Sequence, residues 1–136
     1  MRYLLDTNVC IHYLNRWSEA IRQELSQRQP EEIVLCSVVK AELFYGALKS
    51  KNPARNLEKQ RQFVERFVSL PFDDEAAEAY SQIRADLEQG GRPIGPNDLL
   101  IAAIAVANDV MLVTHNTGEF GRVQGLKLED WESEVR

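Results

Sequence analysis

The chain has 136 residues, 44% of them hydrophobic and 27% charged, with a net charge of −5. That length fits a single domain over 1–136, large enough to bury roughly two thirds of its unfolded surface. The acidic balance argues against simple phosphate-backbone binding, and no apolar run approaches the ~20 residues of a membrane span.

The opening "MRYLLDTNVC" turns charged too soon for a signal peptide. Within it, "RYLL" followed by "DTN" reads as a short buried strand stopped by turn and capping chemistry. "VCIHYL" and "SEAIRQELSQR" follow as helices, with a break near Asn15 to Ser18. "EIVLCS" is a second apolar strand, and Ser37 is placed to cap the helix "VVKAELFYGALKS". "NPARNLEKQRQFVERFVSL" begins with a proline favourable at a helix N-terminus and keeps helical spacing of Leu and Phe throughout. "PFDDEAAEAYSQIRADLEQGG" is a further helix, with acids at its start and Gly90-Gly91 at its end. "GPNDLLIAAIAVAN" reads as a buried helix, "VMLVT" as a third strand and "GLKLEDW" as a final short one. Cys10 and Cys36 have no metal-type spacing and read as reduced core thiols, which places the protein in the cytoplasm.

Strands alternating with helices predict an α/β domain, with a mostly parallel sheet and helices on both faces. Ligand groups in such sheets gather at the carboxyl ends of the strands. Asp6 falls at one such end, followed by Thr7 and Asn8; Asp6 or Thr7 reads equally as a cap for a helix beginning near Asn8. Glu42 shares a stripe with Val38, Val39 and Tyr45 on a helix with little polar surface, although a plain surface glutamate fits the same position. Asp98 sits in the first turn of the most apolar helix, where dipole stabilisation is worth only about 0.3–1 kcal/mol. Desolvating a carboxylate in a dry site costs several times that, so a compensating base or cation is expected. The apolar segments around these acids carry no base except Arg2 and Lys40, which favours a divalent cation. After "VMLVT" come Thr114, His115, Asn116 and Glu119, a strand-to-helix loop whose polar residues also fit capping. Carboxylates converging without a His or Cys cluster make a hard-oxygen site suited to Mg²⁺ or Mn²⁺. His12 and His115 are isolated, and no phosphate-binding glycine loop is present.

The stretches "LLDTNVCIHYL", "SVVKAELFYGA", "GRPIGPNDLLIAA" and "LVTHNTGEFGRVQGLKLEDW", in that order, resemble the PIN-domain nucleases. The likeness is specifically to the VapC toxins of bacterial toxin–antitoxin pairs, and most of all to the subgroup that cleaves initiator tRNA. It spans nearly the whole chain and implies a three-layer α/β/α PIN-like domain. The family's acids fall on Asp6, Glu42 and Asp98, which the resemblance makes the metal ligands, and its Thr and Asn beside the first acid fall on Thr7 and Asn8. The place of a frequent fourth acid after Thr114 reads Asn116, while Glu119 fits the acid expected in loops of this kind. What the resemblance implies is a Mg²⁺-dependent endoribonuclease, active as a homodimer, with an antitoxin of the VapB type blocking the acidic site, for instance through an arginine. The basic stretch Lys49, Lys51, Arg55, Lys59, Arg61 and Arg66 is the best local candidate for RNA contact, or else a solvated helix face. The alternative is a non-catalytic phosphate- or metal-binding regulatory α/β module. Against it, "DTN" holds a single acid where receiver-type chemistry wants a pair, and "LVTH" supplies no lysine.

Overall fold

In the computed structural model, which describes residues 1–132, strand β1 (Tyr3–Leu5) stops at Asp6, which caps helix α1 (Thr7–Leu14). Helix α2 (Glu19–Ser26) starts from Ser18, whose side chain accepts a bond from the Ile21 amide. A 3-10 turn (Pro30–Glu32) leads into β2 (Ile33–Cys36), buried along its whole length. Then come α3 (Ser37–Leu48), α4 (Pro53–Val64), β3 (Val68–Leu70) and α5 (Asp74–Gln89). The chain continues with α6 (Pro96–Asn108), β4 (Met111–Val113), the short α7 (Thr117–Phe120) and β5 (Leu128–Glu129).

The five strands form one sheet in the order β3-β2-β1-β4-β5, and every pairing is parallel. Such a sheet needs both faces covered, which explains the near-continuous apolar strands. Leu4 in β1 lies opposite Val34 in β2 and Leu112 in β4, all three with no exposure to solvent. Chain order runs outward from β1 to β2 and β3 on one side, then returns to β4 and β5 on the other. The switch therefore lies between β1 and β4, the place where open α/β sheets bind ligands beyond the strand ends.

Helix α6 is the most buried: Leu99 and the run Ile101 to Ala105 all face the interior, and the helix packs on α5. Its small residues allow close approach of neighbours, so the position of its first turn is rigidly set. Cys10 and Cys36 are free and buried, and burial pushes the Cys36 thiol up to about 11. No helix of the described residues is long and apolar enough to cross a membrane.

Two expectations from the sequence are corrected. Ser37 is the first residue of α3 rather than its cap; Cys36 takes the cap position and no side chain bonds there. Helix α4 ends at Val64, and "VSL" forms the edge strand β3 instead of continuing the helix. Pro71 directly after Leu70 disfavours helical geometry at Leu70, and β-branched Val68 suits a strand.

Candidate functional site

Asp6 is only 6% exposed, yet both of its carboxylate oxygens are bonded. Oδ1 accepts from the Thr7 amide at 2.8 Å, and Oδ2 accepts from Thr114 Oγ1 at 2.8 Å. Its own amide donates to the Val113 carbonyl at 3.0 Å, extending the β1–β4 ladder by one residue. The sheet thus aligns Asp6 at the end of β1 with Thr114 at the end of β4. Burial raises the Asp6 carboxyl above its ordinary range, opposed by the bonds from Thr114 and Thr7.

Thr7 joins the first acid to the second: its hydroxyl donates to Glu42 Oε1 at 2.6 Å. The other Glu42 oxygen accepts from Asn97 Nδ2 at 3.2 Å, which ties α3 to the first turn of α6. One residue on, Asp98 is pushed up to about 7, first by burial and then by the negative charge of Asp6 and Glu119. Glu119 is held in the opposite sense. Its Oε1 accepts from the Gly95 amide at 2.6 Å and its Oε2 from Asn116 Nδ2 at 3.0 Å. Those bonds, led by the one from Gly95, keep its carboxyl below the usual range. A Cβ built on Gly95 would lie 3.5 Å from Glu119 Oε1 and 3.7 Å from Asp98 Oδ2, so the two acids flank this residue.

Burial and neighbouring charge thus favour the protonated form of Asp98, while the bonds to Glu119 favour its carboxylate. We expect Glu119→Ala to lower the Asp98 pKa from about 7, because it removes both a nearby charge and an acceptor for that proton. A ¹³C-detected pH titration of the aspartate carboxyls checks this, and an unmoved Asp98 midpoint contradicts the coupling.

Of the residues singled out from the sequence, Asp6, Thr7, Glu42, Thr114, Asn116 and Glu119 are linked by hydrogen bonds, and Asp98 by charge. Asn8 is not brought in: it is exposed on α1, with no hydrogen bond to the others. Asn97 and Gly95 belong to the site and were not singled out; both lie beside Asp98 in "GPND". His12 pairs with Glu132, and His115 with Asp130, apart from the acids.

The donor set, carboxylate oxygens alone, suits a hard divalent cation. Among the described residues, none of Asp6, Glu42, Asp98 and Glu119 has a Lys, Arg or His within ion-pair distance, and only Glu119 draws on a more distant one, Arg122. No three Asp, Glu, His or Cys side chains of the described residues are gathered closely enough to enclose an ion. Asp6, Glu42 and Glu119 are each held by hydrogen bonds to their own neighbours, and like charge opposes their closing further. Donor chemistry and charge fit a divalent metal, while a ready-closed cage is absent.

Residues 3–126 match the PIN domain model, and the chain belongs to the PIN-domain family. Its relatives within that family include VapC proteins. It is 42% identical over 131 residues to the tRNA(fMet)-specific endonuclease VapC of Shigella flexneri, covering 96% of this chain and 98% of that protein. It is 39% identical to Ribonuclease VapC2 of Rickettsia felis, covering 97% of this chain and 99% of the relative. The crystal structure of DNA-bound VapBC from Salmonella typhimurium contains a chain that superposes with a TM-score of 0.91 at 38% identity, over 96% of this chain and 98% of that one.

Proposed function

We propose that this chain is a Mg²⁺- or Mn²⁺-dependent endoribonuclease acting as the toxin of a type II toxin–antitoxin pair, with initiator tRNA as its substrate. The observation that carries this reading is the set of acids at the β1–β4 switch point with, among the described residues, no Lys, Arg or His in ion-pair contact with them. Relatives of 33–42% identity carry the names ribonuclease or endonuclease, which supports it. Asp6, Glu42 and Asp98 would hold the metal, which when bound neutralises phosphate charge and lowers the pKa of a bound water. Around them, Thr7 and Thr114 orient Asp6, Thr7 and Asn97 orient Glu42, and Asn116 with the Gly95 amide fixes Glu119. Asp98, with its carboxyl pushed up to about 7, would have to give up its proton to serve as a ligand, so metal binding is expected to weaken below neutral pH.

The same acids suit an arginine from an antitoxin of the VapB type, since a guanidinium matches clustered carboxylates. The single domain would work as a homodimer, and in the cytoplasm, a compartment with which its two buried, free cysteines agree. The test is cleavage of initiator tRNA beside elongator methionine tRNA by purified protein with Mg²⁺. A single mapped cut in the initiator species is expected. Absence of metal-dependent cleavage of any RNA overturns the reading, and equal cutting of both tRNAs overturns its substrate.

A further inference from the structure

A cleft of about 230 Å³ opens between α1, α3 and α4, and Glu42 forms part of its wall. Glu42 also accepts the Thr7 hydroxyl inside the acid cluster, so the cleft and the cluster share a side chain. Gly46, within α3, lies on the same wall. A Cβ there would meet nothing within 4 Å, so packing does not require glycine. Glycine inside a helix is moreover destabilising relative to alanine. What Gly46 provides is room in the cleft. Lys59 of α4 stands at the edge, exposed, and is the one cation among the described residues that line it.

A second cleft, of about 300 Å³, is bounded by Tyr13 near the end of α1, by Arg22 and Leu25 of α2, and by Arg66. Arg66 lies in the turn after α4, its guanidinium 5.1 Å from the ring centroid of Phe67 and 5.9 Å from that of Phe63. Tyr13 packs on the same Phe63, with ring centroids 5.3 Å apart. Glu19 is the one acid lining this cleft, 3.6 Å from Arg22, so positive charge stays in excess there. At 3.6 residues per turn, Lys59 and Arg66 fall on one flank of α4 and Arg61 on the other. Their separation along the helix, roughly 10 Å, spans about three phosphates of a stacked strand. Among the described residues, neither Lys59 nor Arg66 has a carboxylate within ion-pair distance. Neither has an acid three or four positions away in sequence, whereas Arg61 has Glu58 and Glu65 at those spacings.

We infer that an RNA strand runs from the acid cluster through the first cleft to the second, its phosphates met by Lys59 and then by Arg66 with Arg22. This path rests on the nuclease reading above. The acids repel a polyanion, so cations that draw RNA towards them must stand close by without neutralising them. Lys59 meets that condition, because it shares a cleft with Glu42 and makes no ion pair with it. Contacts to phosphate fix the register of a strand and carry no base readout, so this path accepts any sequence.

The test uses the full chain in metal-free buffer, so that binding is read without cleavage, and follows a fluorescent single-stranded oligoribonucleotide by anisotropy. Between roughly 50 and 200 mM salt, the slope of log affinity against log salt counts the phosphates neutralised, about 0.7 for each on a single strand. Lys59→Gln and Arg66→Gln should each lower that slope by about 0.7, and equally for oligonucleotides of different sequence. Arg66→Lys, which gives up the stacking on Phe67 but keeps the charge, should keep the slope. Arg61→Gln should leave it unchanged. Gly46→Leu, which fills the first cleft without altering charge, should weaken binding several-fold at an unchanged slope. With Mg²⁺ present, Lys59→Gln should raise KM and spare kcat, the mark of a contact equally strong in ground and transition states. Slopes indifferent to Lys59 and Arg66, an equal loss in Arg61→Gln, or full affinity in Gly46→Leu overturns the inference. A wild-type chain that binds no RNA at the lowest salt also overturns it, and leaves the two clefts to a protein partner. Failure of the nuclease reading shows separately, as wild-type protein that binds RNA with these slopes but cuts none.

Discussion

Asp6→Asn and Asp98→Asn should each reduce Mg²⁺-dependent RNA cleavage by roughly 10²–10³-fold or more, the scale seen when one preorganised charge-stabilising group is removed. The two acids reach the site by different routes. Asp6 is fixed by the sheet, with both oxygens bonded and the Val113 carbonyl holding its amide. Asp98 is fixed by burial of α6 beneath it. Asparagine is nearly isosteric with aspartate, so either variant should keep its fold while losing the negative charge a divalent metal requires. Initial rates with a defined tRNA, beside circular dichroism spectra of the same samples, separate chemistry from folding. Wild-type rates in either variant, with preparations shown free of contaminating nuclease, would sink the mechanism.

How the acids could be read from sequence, and their supporting residues could not, has a physical basis. Asp98 stands out because a carboxylate beside "LLIAAIAVA" must be compensated by something, and Asp6 because it ends an apolar strand. Both are local contrasts between charge and burial. Asn97 gives no such contrast: its bond to Glu42 spans 55 positions, and an asparagine in a helix's first turn is unremarkable. The Gly95 amide is a backbone group, invisible as a side-chain pattern, although it is the leading cause of Glu119's lowered pKa. Strand β3 is hidden for a related reason, since three residues cannot show a period and the helical spacing of α4 runs up to them. Thr7 was legible as a residue of the site, but its bridging of Asp6 and Glu42 depends on α1 and α3 meeting in space.

Those hydrogen bonds also distribute the electrostatic strain unevenly. Asp6 and Glu119 each receive two donors, whereas Asp98 is pushed up to about 7 by burial and by the charge of its neighbours. A group in that position is the one whose charge the fold tolerates least and whose metal binding is most dependent on pH.

Asp98→Asn should accordingly stabilise the protein in metal-free buffer above neutral pH, even as it destroys activity. The native carboxyl titrates near 7 against 3.8 for the ordinary group. Below about pH 3.8 both folded and unfolded chains hold the proton, and the site imposes no penalty. As pH rises from there towards 7 the unfolded chain gives up its proton first, so the native state binds more protons and loses stability relative to it. The penalty is complete above about pH 7, and a residue that cannot ionise escapes it. Asp98 is only half buried, so solvent screening cuts the gain to on the order of 1 kcal/mol, a rise in Tm of roughly 3–6 °C at about pH 8. The gain should shrink towards zero near pH 4 and diminish at high salt. Added Mg²⁺ should raise the wild-type Tm more than that of Asp98→Asn, because the variant has lost a ligand. A variant that melts at or below the wild-type temperature at pH 8 without metal would mean that Asp98 is not crowded by the other acids, and the case for a shared cation site would go with it.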